Sequence, residues 1–180
     1  MTIMRQHVVL ALLAAMLLVG CGSGTITNGE ATLVPNETSP AFLDRVADEP
    51  TVTFNDAARG MVMLLDGDDT FDTFEQRVDY LKSRSVISPD WNLDAFDSIN
   101  RGQLAHMAYV ASEMNGGVWL TVAGPSQRYC LREMQYRGVM GEGTLLASVS
   151  GFEYVSTLGR AAMYMATGEV PDAAGDTPEH

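Results

Sequence analysis

The segment Ser98–Met114, SINRGQLAHMAYVASEM, decides the fold because a helix-capping signal leads directly into an apolar stripe of helical period. Asn100 suits the N-cap position, and Gln103 follows three residues later, as in a capping box. The apolar residues behind this signal lie three or four places apart, which indicates one buried face of a helix rather than a strand. They are Leu104, Met107, Ala108, Ala111 and Met114.

The same signal begins two other segments, VTFNDAARGMVMLL from Val52 and VSGFEYVSTLGRAA from Val149. In each of them a β-branched apolar residue, which can act as a hydrophobic staple, precedes the N-cap residue. An acidic residue follows the cap by three places, where it can complete a capping box. The three predicted helix N-caps are Thr53, Asn100 and Ser150.

Two further amphipathic segments lie between these three helices and resemble each other. A 53-residue offset aligns the segment that ends in LKSRSVI (residues 81–87) with the one that ends in MQYRGVM (residues 134–140). Gly138 suits a left-handed position after the second helix, where Val139 can close a Schellman motif. Ser85 occupies the corresponding place in the first copy, which is a poorer choice than glycine.

These patterns predict a mainly helical chain. We expect helices over 54–65, 71–84, 100–114, 126–137 and 151–166, and no sheet of three or more strands. The core-facing stripe of the last helix is predicted to contain Leu158, Ala161, Ala162 and Met165. A short extended piece is expected near Val118–Val122, where β-branched residues and a tryptophan cluster.

The stretch YLKSRSVISPDWNLDAFDSINRGQLAHMAYVA (residues 80–111) resembles an S-layer homology repeat. In that family an amphipathic helix, a turn and a loop precede a second helix that opens with a signature like Ile99–Gln103. The resemblance covers about 52–165, as two repeats and the second half of a third. It implies a mainly α fold in which helix–loop–helix units pack as one compact bundle. It also implies non-covalent binding to peptidoglycan or a wall-linked polymer.

The resemblance also points to one ligand-binding residue. The family carries an arginine in the first turn of the second helix, and Arg101 alone matches it, because Phe54 and Gly151 occupy the equivalent places. We expect Arg101 to be exposed and to bind any ligand through its planar guanidinium group. Its replacement should then weaken wall binding without a loss of stability.

The N-terminus predicts a lipoprotein. Arg5 precedes an apolar run over Val8–Gly20 that is too short to span a bilayer but suits a signal peptide. The run ends in Leu-Val-Gly-Cys, which resembles a bacterial lipobox and implies cleavage before Cys21 and lipid attachment there. Two or three acyl chains would anchor the protein stably to a membrane of the cell envelope. Gly22 favours the outer membrane if the cell is Gram-negative.

The remaining sequence divides the chain into four parts. Residues 1–20 are the predicted signal peptide, and 21–50 form a flexible tether rich in Gly, Ser, Thr, Asn and Pro, with a short helical turn at Ala41–Ala47. Residues 51–167 form the helical domain, and 168–180 are a disordered acidic tail. The formal net charge of −12 argues against nucleic acid as a partner, because phosphate binding requires a basic face.

Candidate reactive residues are few, and we expect neither catalysis nor a cofactor. Cys130 is predicted to be a small buried hydrophobe, and His106 to be a surface or internally hydrogen-bonded residue. The acidic run Asp66–Asp72 partly resembles a calcium-binding loop. It lacks the glycine and the final acidic residue that such a loop needs, so no metal site is expected.

Two functional hypotheses remain open from the sequence. In the first, the chain is a membrane-anchored cell-envelope lipoprotein with a non-catalytic module that binds peptidoglycan or a wall-linked polymer. In the second, the same fold serves as an adaptor that binds an envelope protein and has lost wall binding.

Overall fold

The computed structural model describes residues 37–116, 120, 122 and 124–170. Six helices lie wholly within these residues, and no strand does, so the prediction of a mainly helical fold is confirmed for the described part of the chain. In chain order the helices are α1 (Ser39–Ala47), α2 (Phe54–Asp66), α3 (Phe74–Ser83), α4 (Arg101–Ala111), α5 (Gln127–Tyr136) and α6 (Gly151–Thr167).

Several sequence predictions fall outside the described residues. They concern the signal peptide at 1–20, the lipidated Cys21, most of the tether, and the tail beyond Val170. These remain predictions. The extended piece predicted at 118–122 is wrong at Leu120 and Val122, which are helical, and its other three residues are outside the described ranges.

The starts of α2, α4 and α6 have one common geometry. The side chain of each N-cap residue (Thr53, Asn100 and Ser150) accepts a hydrogen bond from the backbone N–H three residues later. At α4 the box is complete, because the side-chain oxygen of Gln103 also accepts the backbone N–H of Asn100 at 2.8 Å. Each cap satisfies a donor that the first helical turn cannot, which contributes about 1 kcal/mol per helix.

The residues that precede these caps meet in a cyclic set of backbone hydrogen bonds. The N–H of Val52 donates to the carbonyl of Val149 at 3.0 Å, and the N–H of Ile99 donates to the carbonyl of Val52 at 3.1 Å. The N–H of Val149 closes the cycle on the carbonyl of Ile99 at 3.4 Å. All three side chains are buried. The three capped helices therefore begin around one centre in an approximately threefold arrangement.

A second helix packs against each of the capped helices. Helix α3 packs on α2, α5 packs on α4, and α1 packs on α6. The set is thus cyclic, because the first of the described helices pairs with the last. The resemblance accounts for two complete helix–loop–helix repeats and for one helix of a third. Helix α1 is the helix that the third repeat lacked.

The position of α1 corrects the predicted tether. The boundary at residue 50 is wrong, because α1 is a regular helix whose Phe42 and Val46 are fully buried in the core. Pro40 near its start restricts the backbone to a helical φ, and its buried side chains are four residues apart. A helix this short is marginal alone, so its apolar face and its contact with α6 stabilise it.

The buried face of α6 also differs from the prediction. Met165 is exposed rather than buried, and so is Ala162. Leu158 and Ala161 are buried as predicted, and Tyr154, Thr157 and Tyr164 complete the face that contacts the core. The hydroxyl of Tyr154 donates to the backbone carbonyl of Ala57 at 2.9 Å, which permits a tyrosine to be fully buried. The methionines predicted to be buried on the other helices, Met61, Met107, Met114 and Met134, are in the core.

The two segments related by the 53-residue offset end in the same backbone motif. Gly138 follows α5 with a φ of 71°, and Ser85 follows α3 with a φ of 61°. In both cases the next residue donates its backbone N–H back to the helix, from Val139 to Met134 at 2.9 Å and from Val86 to Leu81 at 2.9 Å. These are Schellman motifs, with the valine buried beneath the turn.

Replacing Ser85 with glycine is expected to raise the free energy of unfolding by about 0.5–1 kcal/mol, because a left-handed backbone costs a residue with a Cβ about 1–2 kcal/mol. Chemical denaturation measures the difference. The matched control is Gly138→Ser, which should lower the free energy of unfolding by about 1 kcal/mol. A gain in stability from both substitutions would contradict the equivalence of the two turns.

Candidate functional site

Arg101, the ligand-binding residue expected from the resemblance, is not exposed. Only 8% of the residue is accessible to solvent. Its Nη1 lies 2.9 Å from a carboxylate oxygen of Glu153, and its Nη2 donates to the backbone carbonyl of Gly141. The expectation of an exposed first-turn arginine is therefore wrong, because the approximately threefold packing brings the first turn of α6 against that of α4.

The loop over Gly141–Gly143 holds the guanidinium group from the other side. Gln135 on α5 donates to the carbonyls of Gly141 and Gly143 at 3.2 and 3.1 Å, which fixes the loop. A Cβ on Gly143 would lie 2.5 Å from Nη1 of Arg101, so glycine permits the close approach. The Nε of Arg101 is buried and has no hydrogen-bond partner in the described structure. Arg101 thus links α4, α6 and this loop.

The ion pair between Arg101 and Glu153 could not be predicted from the sequence around Glu153. Its backbone N–H donates to the Ser150 side chain at 3.2 Å, as the capping pattern predicts. Its carboxylate, however, reaches Arg101 instead of returning to the N-cap backbone. The residue has one role in its own helix and another across the interface between α6 and α4.

The positions equivalent to Arg101 are also buried. Phe54 packs edge-on against Phe74 with ring centroids 5.5 Å apart, in the contact between α2 and α3. Gly151 lies against the end of α1, where its N–H donates to the carbonyl of Glu49 at 2.9 Å. All three first-turn positions are therefore used in packing between neighbouring helices.

His106 lies inside the domain and is internally hydrogen-bonded. It is buried on α4, with its Nδ1 2.8 Å from the carbonyl of Pro125 and its ring 5.3 Å from that of Trp91. A carbonyl can only accept, so Nδ1 carries the proton. Burial lowers the pKa of His106 and outweighs the opposite effect of the backbone at Pro125 and Ser85. The folded protein therefore favours the neutral imidazole.

Acidification is expected to destabilise the protein through His106. The folded-state pKa lies below the unfolded value of about 6.5, so the unfolded chain binds the proton more readily. The stabilisation is complete above about pH 6.5 and is lost as the pH falls through the folded-state pKa. Denaturation at about pH 7.5 and about pH 5 measures it, with His106→Gln as the control. An equal pH dependence in the variant would contradict this assignment.

The acidic run after α2 is used in internal contacts. The carboxylate of Asp66 accepts the hydroxyl of Tyr80 at 2.6 Å, and that of Asp69 lies 2.7 Å from Arg77. Asp68 accepts the Ser39 hydroxyl at 2.8 Å, which connects the run to the start of α1. Within the described ranges no group of three or more His, Cys, Asp or Glu side chains is arranged to hold a metal ion.

Cys130 is buried on α5, as predicted. Burial raises the pKa of its thiol to about 12, so the thiolate needed for nucleophilic chemistry is not formed near neutral pH. The residue fills space in the core.

An apolar groove with a volume of about 560 Å³ lies on the surface of the domain. Helices α1 and α6 form its walls and α2 forms its floor. Its apolar lining includes Leu43, Met63, Leu64, Val155 and Leu158, and glycines lie at positions 60, 67 and 159. The sequence did not predict this groove, because one of its sides is α1, which lies within the predicted tether.

The charge around this groove is acidic. Asp44 lines it, and the lining residues include no lysine or arginine. Arg45 and Arg59, which adjoin lining residues in sequence, are both turned towards Glu37, at 3.1 and 3.0 Å. These two cationic side chains are therefore paired within the protein, whereas Arg160, which follows Gly159, donates to the carbonyl of Gly138 at 3.3 Å.

No helix in the part of the chain described by the structure is long and apolar enough to cross a membrane. Comparison of the chain with models of protein families, with curated proteins and with solved structures finds no match.

Proposed function

We propose that the protein is a membrane-anchored lipoprotein of the bacterial cell envelope whose helical domain is an adaptor that binds another envelope protein. The proposal joins the lipobox-like sequence at Cys21 to a non-catalytic module with S-layer homology-like repeats. The cyclic arrangement of three capped helices, each paired with a second helix, supports the repeat interpretation. The fold and the anchor together suit a protein that holds a partner at a membrane.

One observation favours an adaptor over a wall-binding protein. Arg101, the residue through which the resemblance implies wall binding, is buried and paired with Glu153. A buried and paired guanidinium group must leave its partner before it can bind a ligand, and breaking such a pair costs several kcal/mol. The apolar groove is instead open, and it presents the type of surface that protein partners use.

Binding to peptidoglycan or a wall-linked polymer is the second candidate. It is favoured by the buried Nε of Arg101, which lacks a hydrogen-bond partner among the described residues. A donor at the start of α4 lies near the positive end of the helix dipole, where anionic groups of a polymer are stabilised.

Sedimentation with purified peptidoglycan sacculi separates the two candidates. We expect the full-length chain to remain in the supernatant, and site-specific photo-crosslinking in cells from groove residue Leu43 to capture one defined envelope protein. Cross-linking from Asp90, which is exposed and distant in sequence, is the control. Sedimentation with sacculi, abolished by Arg101→Ala in a variant that remains folded, would overturn the adaptor proposal in favour of wall binding.

The anchor is tested separately by fractionation. The Cys21→Ser chain should leave the membrane fraction because position 21 then has no thiol for lipid attachment. A variant that stays membrane-bound after removal of its leader would contradict the lipoprotein proposal.

A further inference from the structure

The groove between α1, α2 and α6 has a glycine on its α6 side. Gly159 lies nine residues after its N-cap, and a Cβ there would have no heavy atom within 4 Å. The same position on α4 is Tyr109, which is buried. A large side chain thus fills the equivalent space at α4, whereas α6 leaves it empty.

Internal packing does not account for Gly159. Glycine in the middle of a helix destabilises it relative to alanine, so its presence calls for a close approach by another group. Gly60 on the floor shows the usual reason, because a Cβ there would lie 2.1 Å from the hydroxyl of Tyr154. Gly159 has no such neighbour in the described structure, and it faces the groove. It therefore leaves room for the close approach of an external group.

The shape and charge of the groove define that group. Two helices form its walls, its lining is mainly apolar, and its small residues allow a backbone to approach closely. Asp44 lies in the lining, and Asp68 accepts a hydrogen bond from the lining residue Ser39. A complementary partner has an apolar face flanked by positive charges.

We propose that this groove binds the apolar face of a basic amphipathic helix of a partner protein. The proposal rests on the adaptor function and specifies its partner. Leucine-type side chains of the partner pack between Leu43, Met63 and Val155. Its helix backbone passes over Gly159, and its lysine or arginine side chains reach Asp44 at the rim.

The test uses an 18-residue labelled peptide of leucine and lysine with helical amphipathic spacing. Its binding to the full-length Cys21→Ser chain is measured by fluorescence anisotropy. We expect saturable binding that weakens with added salt, since charged groups contribute to it. A peptide with glutamate in place of lysine and a scrambled peptide of the same composition should both bind at least about tenfold more weakly. Equal binding of all three would overturn the proposal.

Variants of the groove give the sharper test. Gly159→Leu should weaken binding of the lysine peptide by about tenfold or more, because it occupies the space that the helix backbone needs. The matched control is Ser156→Leu on the same helix, which is outside the lining and should bind as the parent does. Asp44→Asn should weaken binding and reduce its salt dependence, whereas Asp90→Asn, with the same change in charge, should have no effect.

The Gly159→Ala variant distinguishes an effect on peptide binding from an effect on stability. It should raise the melting temperature by about 2–4 °C through helix propensity and at the same time weaken peptide binding. A variant that is more stable and binds equally well would overturn the role of Gly159. Binding of palmitate without any binding of the lysine peptide would assign the groove to a lipid chain and overturn the proposal.

Failure of this inference is distinguishable from failure of the adaptor function. If Gly159→Leu abolishes neither peptide binding nor the cross-link from Leu43 to the cellular partner, the groove inference is wrong while the adaptor function stands. Sedimentation with sacculi and no cross-linked partner would contradict both.

Discussion

Replacing Gly151 with alanine is expected to lower the free energy of unfolding by about 3 kcal/mol or more, because the added Cβ would overlap backbone atoms. It would lie 1.7 Å from the carbonyl oxygen of Val46 and 3.0 Å from that of Glu49. Backbone atoms cannot rotate away as a side chain can, so the end of α1 must separate from the start of α6. The hydrogen bond from Gly151 to Glu49 would be lost with that movement.

Chemical denaturation monitored by circular dichroism measures this effect. Gly159→Ala is the matched control, because it makes the same chemical change on the same helix where no atom lies within 4 Å. The control should be more stable than the parent by about 0.5–1 kcal/mol, from helix propensity alone. If both variants changed stability by the same amount, α1 would not be packed against α6 as described.

The second large effect is expected for Arg101→Ala, which should lower the free energy of unfolding by about 2–4 kcal/mol. The substitution leaves the carboxylate of Glu153 and the carbonyl of Gly141 without the donors that they contact now. Arg101→Lys should recover only part of the loss, because an ammonium group cannot bridge both acceptors in the planar geometry of the guanidinium.

A double-mutant cycle with Glu153→Ala tests the pairing. If Arg101 and Glu153 act together, the double variant should lose less stability than the sum of the single losses, by about 1 kcal/mol or more. Additive losses would show that the two residues act independently. A stability loss below about 0.5 kcal/mol in Arg101→Ala would instead indicate that the side chain is free to serve a ligand.

Sequence predicted the features of this fold that depend on neighbouring residues. The caps at Thr53, Asn100 and Ser150 and the turn at Gly138 follow from interactions within a few positions, so their patterns are visible in the chain. The predicted start of α3 at residue 71 is wrong, because the complete capping box of Thr73 and Gln76 begins the helix at residue 74.

The features that were wrong or missed depend on distant contacts. Arg101 is buried because of Glu153 and the loop at Gly141, and neither contact leaves a local pattern. Helix α1 lies in a segment with the composition of a linker, and its burial depends on α6. The groove could not be predicted for the same reason, since the contact between α1 and α6 brings together two of the three helices that line it.

The pairing of α1 with α6 has a consequence for the order in which the chain is made. Helix α1 leaves the ribosome before every other described helix, and its packing partner leaves last. Phe42 and Val46 consequently have no completed surface to cover them until synthesis has passed residue 167. Long-range closure of this type slows folding and leaves apolar side chains open to misassociation. The apolar face of α1 therefore remains without its main packing partner until α6 has been made.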